Sequence, residues 1–306
     1  MHDETPFPQL DLDSISAACG PWEVDEERAR RDAELVLASI DFSRRDLIIW
    51  APGTSARDVH PAFRAALRAA ERASTDDMRA SLTGLIYEAS WHIRRSVPTG
   101  MATLKLVLLG IRARTEASST PHDVYLAGES QGAWIIGELM ADPDVTDIVT
   151  RAILMGHPFV AGHEYVNGED PRVMVINNEG DQVTLDFKGD PSHGLDAMIA
   201  IRTLQLTRHV PRTVRALVTN LDHVGLMLKG ISYEVPRVRN VLRDPHDYAG
   251  DMPRAIEYLF TGELSAAPER AKVDAIAVAH ELAPKLAPKV LPHVTKIISR
   301  TRRGAA

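Results

Sequence analysis

One stretch of about twenty residues constrains the fold more than any other. His122-Asp123-Val124-Tyr125-Leu126-Ala127 is an apolar run of strand length, and it ends at Gly128-Glu129-Ser130-Gln131-Gly132. Residues 131–140 then take up helical spacing. A chain that passes from a buried strand into a helix over so few residues must turn sharply. Glycines stand where the two backbones approach too closely for a side chain. The serine between them is carried on the turn, with its hydroxyl projecting above the ends of the strands.

The rest of the sequence repeats this alternation. Asp46-Leu47-Ile48-Ile49-Trp50 predicts a buried strand ended by Pro52-Gly53, and residues 58–73 predict a helix with Pro61 in its first turn. A second strand is expected at 84–88. Ala89-Ser90-Trp91 then leads to a long helix ending near Arg114, whose start Pro98 is expected to interrupt. Further strands are expected at 151–155 and 172–176, and a closing helix at 251–260. An amphipathic helix over 22–39, with Leu35 and Val36 on its apolar side, reads as scaffold on the outside. Strands alternating with helices predict an α/β fold with a mostly parallel sheet covered on both faces.

Two regions break the pattern. Residues 192–233 show helical spacing, with Leu217, Leu221 and Val224 on one face, and read as a helical insertion that would form a lid or plain scaffold. The tail repeats Leu282-Ala283-Pro284-Lys285 as Leu286-Ala287-Pro288-Lys289, a proline spacing that forbids one continuous helix. It also gathers Arg270, Lys272, Lys285, Lys289, Lys296, Arg300, Arg302 and Arg303. A solvated terminus is the plain expectation for such a tail, and weak contact with an anionic membrane surface is the alternative. The expected organisation is an N-terminal extension over 1–45, a core over 46–191, the insertion over 192–233, a closing segment over 234–262 and the tail over 263–306.

The 306 residues carry a formal net charge of −7, which argues against nucleic acid as a partner because phosphate binding needs a basic face. Cys19 is the only cysteine, so no internal disulfide can form and a reducing compartment is the simplest home. Asp3, Glu4, Asp11 and Asp13 stand where a secretory leader would carry basic residues, and stretches such as 104–111 are too short to span a membrane. A cytoplasmic protein is the expectation, with phage-type release the other route.

A serine hydroxyl is a weak nucleophile until a base removes its proton, and the base needs a carboxylate to orient it. The expected chain order is Ser, acid, His. Asn177-Asn178-Glu179-Gly180-Asp181 follows a predicted strand and offers Asp181 as the acid, with Glu179, Asp186 and Asp190 as rivals. Of the 12 histidines, His246 lies in Asp244-Pro245-His246-Asp247-Tyr248, a loop just before the closing helix. His157, His163, His193, His209 and His223 compete with it. His157 and His163 share a loop with no fitting third ligand, a poor zinc signature, so neither metal nor other cofactor is expected. An acyl transfer also needs two N–H donors aimed at the developing oxyanion. Gln131, which follows the serine, supplies one, and Ala51-Pro52-Gly53-Thr54-Ser55 is placed to supply the other from Thr54.

The elbow Gly128-Glu129-Ser130-Gln131-Gly132-Ala133, the Ala51-Pro52-Gly53-Thr54-Ser55 loop, Tyr87-x-Ala89-Ser90-Trp91 ahead of a helix with Gly100-Met101, and His246-x-Tyr248 together resemble the cutinase-like branch of the α/β-hydrolases. The resemblance covers residues 46–260. It implies an α/β-hydrolase fold and a serine esterase or lipase. Ser130, Asp181 and His246 would form its triad, and Thr54 and Gln131 its oxyanion hole. Secreted cutinases carry disulfides that this chain cannot make, and their acid and histidine lie closer together in the chain. A helical insertion between acid and histidine is instead similar to mycobacteriophage lysin B, a mycolyl-arabinogalactan esterase. The resemblance thus leaves a lipid or small-molecule ester as the expected substrate. An acyltransferase and a catalytically silent binding protein of the same fold are the alternatives.

Overall fold

The computed structural model describes residues 23–74, 79–90, 93–118, 120–158, 170–178 and 246–266. The chain divides into two structural units. One comprises Met1–Pro158, His163–Asn177 and Tyr248–Pro268, and the other Phe159–Gly162, Asn178–Asp247 and Glu269–Ala306. Of the second unit, Asn178, His246 and Asp247 are described. Asp181, the insertion at 192–233 and nearly all of the basic tail lie outside the described residues.

The first unit is α/β. In chain order its elements are α1 (Glu26–Ser39), β1 (Asp46–Ala51), α2 (Pro61–Ala73), β2 (Ser81–Gly84), α3 (Ile93–Ser118), β3 (Asp123–Glu129), α4 (Gln131–Met140), the one-turn α5 (Pro143–Thr146), β4 (Val149–Met155) and β5 (Val173–Ile176). A 3₁₀ turn at Ala249–Asp251 then opens α6 (Met252–Thr261). The five strands form one sheet in the order β2-β1-β3-β4-β5, every pairing parallel, so β3 lies in the middle with β1 and β4 on either side.

Both faces of this sheet are covered, which is why β1 and β3 read as apolar runs. Ile48 and Trp50 of β1, with Tyr125 and Ala127 of β3, share a buried cluster with Phe63 of α2 and Ile256 and Leu259 of α6. Trp50 packs against Phe63 with the rings tilted at 45° and their centroids 4.7 Å apart. Burying an apolar side chain of this size stabilises the fold by about 1.5–3 kcal/mol. The alternate residues of those strands face α4 and, behind it, α3 and α1. These helices sit close because Gly100 and Gly110 carry no side chain. A Cβ on Gly100 would come within 2.5 Å of Ile135 on α4, and one on Gly110 within 2.6 Å of Leu37 on α1.

Several expectations need correcting. β2 covers Ser81–Gly84, not 84–88. Leu85, Tyr87 and Ala89 are buried in strand-like alternation, but the ladder ends after the Leu85 N–H donates to the Trp50 carbonyl. The next donor in parallel register would be residue 52, and Pro52 has no N–H. Pro98 does not interrupt α3, which runs through it as one 26-residue helix with Val97, Pro98 and Thr99 buried. Leu35 is 54% exposed, and the buried face of α1 is made by Ala29, Ala33, Val36 and Leu37. The helix expected from 58 begins at Pro61, capped by the His60 ring, whose Nδ1 accepts the Ala62 N–H at 3.2 Å. α5 was not expected. It opens at Asp142, whose carboxylate accepts the Asp144 N–H and also pairs with the buried Lys105 of α3 at 2.7 Å.

Candidate active site

The turn between β3 and α4 is tied to the sheet on both sides. The Ser130 N–H donates to the Met155 carbonyl at the end of β4 (2.8 Å), and the Ser130 carbonyl accepts the Trp134 N–H (3.0 Å), which starts α4. Ser130 itself adopts φ 54° and ψ −118°, a left-handed conformation that a residue with a Cβ takes up only under constraint. Such a backbone costs about 1–3 kcal/mol and persists where the surroundings over-determine it.

Those surroundings are the two glycines. A Cβ on Gly128 would lie 2.7 Å from the carbonyl carbon of Gly132, and a Cβ on Gly132 would overlap the Ala51 carbonyl oxygen and come within 2.7 Å of that of Pro52. Nothing larger than glycine fits at either place. The result is a half-buried serine at the carboxyl end of the central strand.

Beside it lies the loop that follows β1. A Cβ on Gly53 would be 3.3 Å from the Ser130 Cβ, so this loop passes directly against the serine. Its bonds are set by residues 87–90. The buried Tyr87 hydroxyl donates to the Pro52 carbonyl at 2.5 Å, and the Ser55 N–H donates to the Ala89 carbonyl at 2.5 Å. Burial pushes the Tyr87 hydroxyl above its ordinary pKa, so it remains a donor through neutral pH. Ser55 and Ala89 both have positive φ, at 66° and 46°. Non-glycine residues in that region cluster at functional sites.

Gln131, buried at the first position of α4, holds the far end of the same segment. Its amide Nε2 donates to the Ser90 carbonyl (3.1 Å), and its Oε1 accepts from the Ser96 hydroxyl (2.8 Å), which in turn accepts the Ser90 N–H (3.2 Å). Among the described residues no hydrogen bond takes up the backbone N–H of Gln131 or of Thr54.

Of the five residues singled out in the sequence, Ser130 and Gln131 are consecutive at this turn, and Thr54 belongs to the loop whose Gly53 lies against Ser130. His246 is described, half-buried at a turn, and belongs to the second unit. Two residues further on, Tyr248 is fully buried in the first unit, in the cluster that contains Trp50, Met155 and Ile176. Asp181 lies outside the described residues, as do its rivals Glu179, Asp186 and Asp190.

Of the competing histidines, His157 is buried behind Gly156, with its N–H donating to Asn177 Oδ1 (3.2 Å) and its Nδ1 donating to the Pro158 carbonyl (2.7 Å). Burial pushes its pKa down to about 3. That environment holds the imidazole neutral and makes it a poor proton acceptor. The roles of Tyr87 and of the Gln131 side chain were not readable in the sequence, because each depends on a partner at least 35 residues away. Among the described residues no three His, Cys, Asp or Glu side chains converge as metal ligands would, and no helix is long and apolar enough to cross a membrane.

No protein-family model matches the chain, and no curated protein sequence does. Solved structures do. Lysin B from Mycobacteriophage D29 is 19% identical over 71% of this chain and 99% of its own, with a TM-score of 0.42. A Trichoderma reesei cutinase bound to a phosphonate inhibitor is 19% identical over 54% of this chain and 74% of its own, with a TM-score of 0.34. An acetyl xylan esterase is 18% identical with a TM-score of 0.30, over 39% of this chain, which spans 66% of that protein's length. These similar structures include the cutinases and phage lysin B that the sequence motifs resemble.

Proposed function

We propose that this chain is a serine esterase that hydrolyses carboxylic esters through an acyl-enzyme on Ser130. The observation that carries this reading is the strained serine at the β3–α4 turn, φ 54° and ψ −118°, wedged between two glycines that admit no side chain. A fold holds a residue in such a conformation where its side chain must be presented at one place.

In the proposed reaction the imidazole of His246 takes the Ser130 proton as Oγ attacks the ester carbonyl carbon. The carbonyl electron pair moves onto oxygen, where the N–H groups of Gln131 and Thr54 stabilise the charge. Collapse of this intermediate breaks the bond to the alkoxy group, which leaves as the alcohol with the proton from His246. Water, deprotonated by the same imidazole, then attacks the acyl-enzyme by the same route, and the acid is released. Asp181 would fix the imidazole tautomer and stabilise its charged form. For His246, the support is its place in the sequence, in Asp244-Pro245-His246-Asp247-Tyr248 just before the closing helix. An ester with an apolar acyl group is the proposed substrate, on the strength of the helical spacing of Leu217, Leu221 and Val224 in the sequence of 192–233.

A fluorophosphonate probe tests the reading directly. It should modify Ser130 in the wild type and nothing in Ser130→Ala, and the wild type should hydrolyse p-nitrophenyl esters, with a short-to-long acyl series locating the preferred chain length. A folded wild type that neither reacts with the probe nor turns over any ester of the series would overturn it.

A further inference from the structure

Residues 87–90 brace both sides of the proposed oxyanion site. Tyr87 holds the Pro52 carbonyl, the Ala89 carbonyl holds the Ser55 N–H, and the Ser90 carbonyl holds the side chain of Gln131. Within the loop the Ala56 N–H donates to the Gly53 carbonyl at 3.0 Å. With φ 66° at Ser55, that bond gives a turn of the type II pattern, in which Thr54 and Ser55 are the two central residues. The peptide groups around Thr54 are thus fixed from three sides: Pro52 by Tyr87, Gly53 by Ala56, and Ser55 by Ala89. Among the described residues, the N–H groups of this loop that no hydrogen bond takes up are those of Gly53 and Thr54, and Thr54 is the donor that the sequence singles out.

We infer that Tyr87 is a positioning residue for the reaction at Ser130: its hydroxyl, acting through the Pro52 carbonyl, orients the loop so that the Thr54 N–H faces the developing oxyanion. This rests on the esterase reading above. The competing role is space-filling, since the Tyr87 ring also packs over Gly100, where a Cβ would come within 3.0 Å of it. Phenylalanine separates the two, because it keeps the ring and deletes the hydrogen bond.

The experiment compares the wild type, Tyr87→Phe, Thr54→Pro and the double variant on p-nitrophenyl butyrate. Proline suits the first central position of a type II turn, so Thr54→Pro deletes the N–H and keeps the turn. Removing an oxyanion donor lowers kcat by roughly 10²-fold or more, so Thr54→Pro should lose about that much with KM almost unchanged. Tyr87→Phe, which misaims the donor without deleting it, should lose about tenfold in kcat at unchanged KM. In the Thr54→Pro background it should cost nothing further, because its effect passes through the missing N–H. A second readout does not depend on Thr54→Pro folding: a boronic acid that forms a tetrahedral adduct on Ser130 should bind Tyr87→Phe about tenfold more weakly than wild type.

Tyr87→Phe with wild-type kcat, equal boronate affinity, or a loss that adds in full to that of Thr54→Pro would overturn the inference while leaving the esterase reading intact. A wild type that neither hydrolyses the ester nor takes a fluorophosphonate on Ser130 removes the reaction and the inference together.

Discussion

Ser130, Gln131 and the loop of Thr54 follow the ends of two adjacent strands and are held by hydrogen bonds to Met155, to Ser90 and Ser96, and to Tyr87 and Ala89, whereas the proposed acid and base come from sequence far downstream of the central strand. The first group is built from short connections, in which a strand ends and a helix or turn begins within a few residues. The second depends on where a long segment returns. The side of the proposed nucleophile is therefore specified by local steric rules that a sequence displays openly, and the side of the proposed acid and base by tertiary return.

The sharpest test of that contrast is to remove one group from each side. Ser130→Ala should lower the rate of ester hydrolysis by roughly 10⁶-fold, and His246→Ala by a comparable factor, with the double variant no worse than either alone, because triad members act as a unit. A His246→Ala variant that keeps most of its kcat would break the pairing and send the search for a base back to the other histidines.

The next test concerns the turn itself. Gly132→Ala drives a methyl group into the Ala51 and Pro52 carbonyls, so it should destabilise the protein by about 4 kcal/mol or more, or prevent folding. Gly84→Ala on β2 places its Cβ 3.6 Å from Val59, an ordinary contact, and should change stability by about 1 kcal/mol at most. Urea unfolding of the two variants side by side gives the comparison.

A smaller effect depends on pH. The folded His157 has its pKa pushed from 6.5 to about 3 by burial, so between those values the unfolded chain binds a proton that the folded chain refuses. The stability contributed by the neutral, buried ring is fully present above about pH 6.5 and is lost as the pH falls towards 3. His157→Gln should flatten this part of the profile of urea midpoint against pH. An unchanged slope would mean that other groups govern it.

The smallest expected change in rate comes from Ser96→Ala, which deletes the hydroxyl between Gln131 and Ser90. It should lower the unfolding free energy by about 1–3 kcal/mol, because it leaves buried polar atoms short of a partner, and reduce kcat only several-fold. Calorimetry and steady-state rates together measure it.

The pattern of these residues explains what could be read in the sequence. β3, the turn and α4 were legible because their signals are contiguous: an apolar run, two glycines around a serine, then helical spacing. β2 was misplaced for a reason that no local window contains. Leu85 and Tyr87 are as buried as any strand residue, but the strand that would pair with them has reached Pro52. α5, by contrast, carries a local signal in Asp142-Pro143, an N-cap followed by a proline at the first helical position, but one turn is too short to display helical spacing. The brace at 87–90 was invisible since its bonds join a side chain or carbonyl of one loop to the backbone of another.

The amide of Ser130 is bonded to the Met155 carbonyl on the neighbouring strand, although the residue itself is half-buried. Exchange of that amide requires the end of the β3–β4 ladder to open, so the backbone of the proposed nucleophile is tied to the central strands and not to a loop. A residue proposed to meet water and substrate is thereby anchored through its backbone to the middle of the sheet.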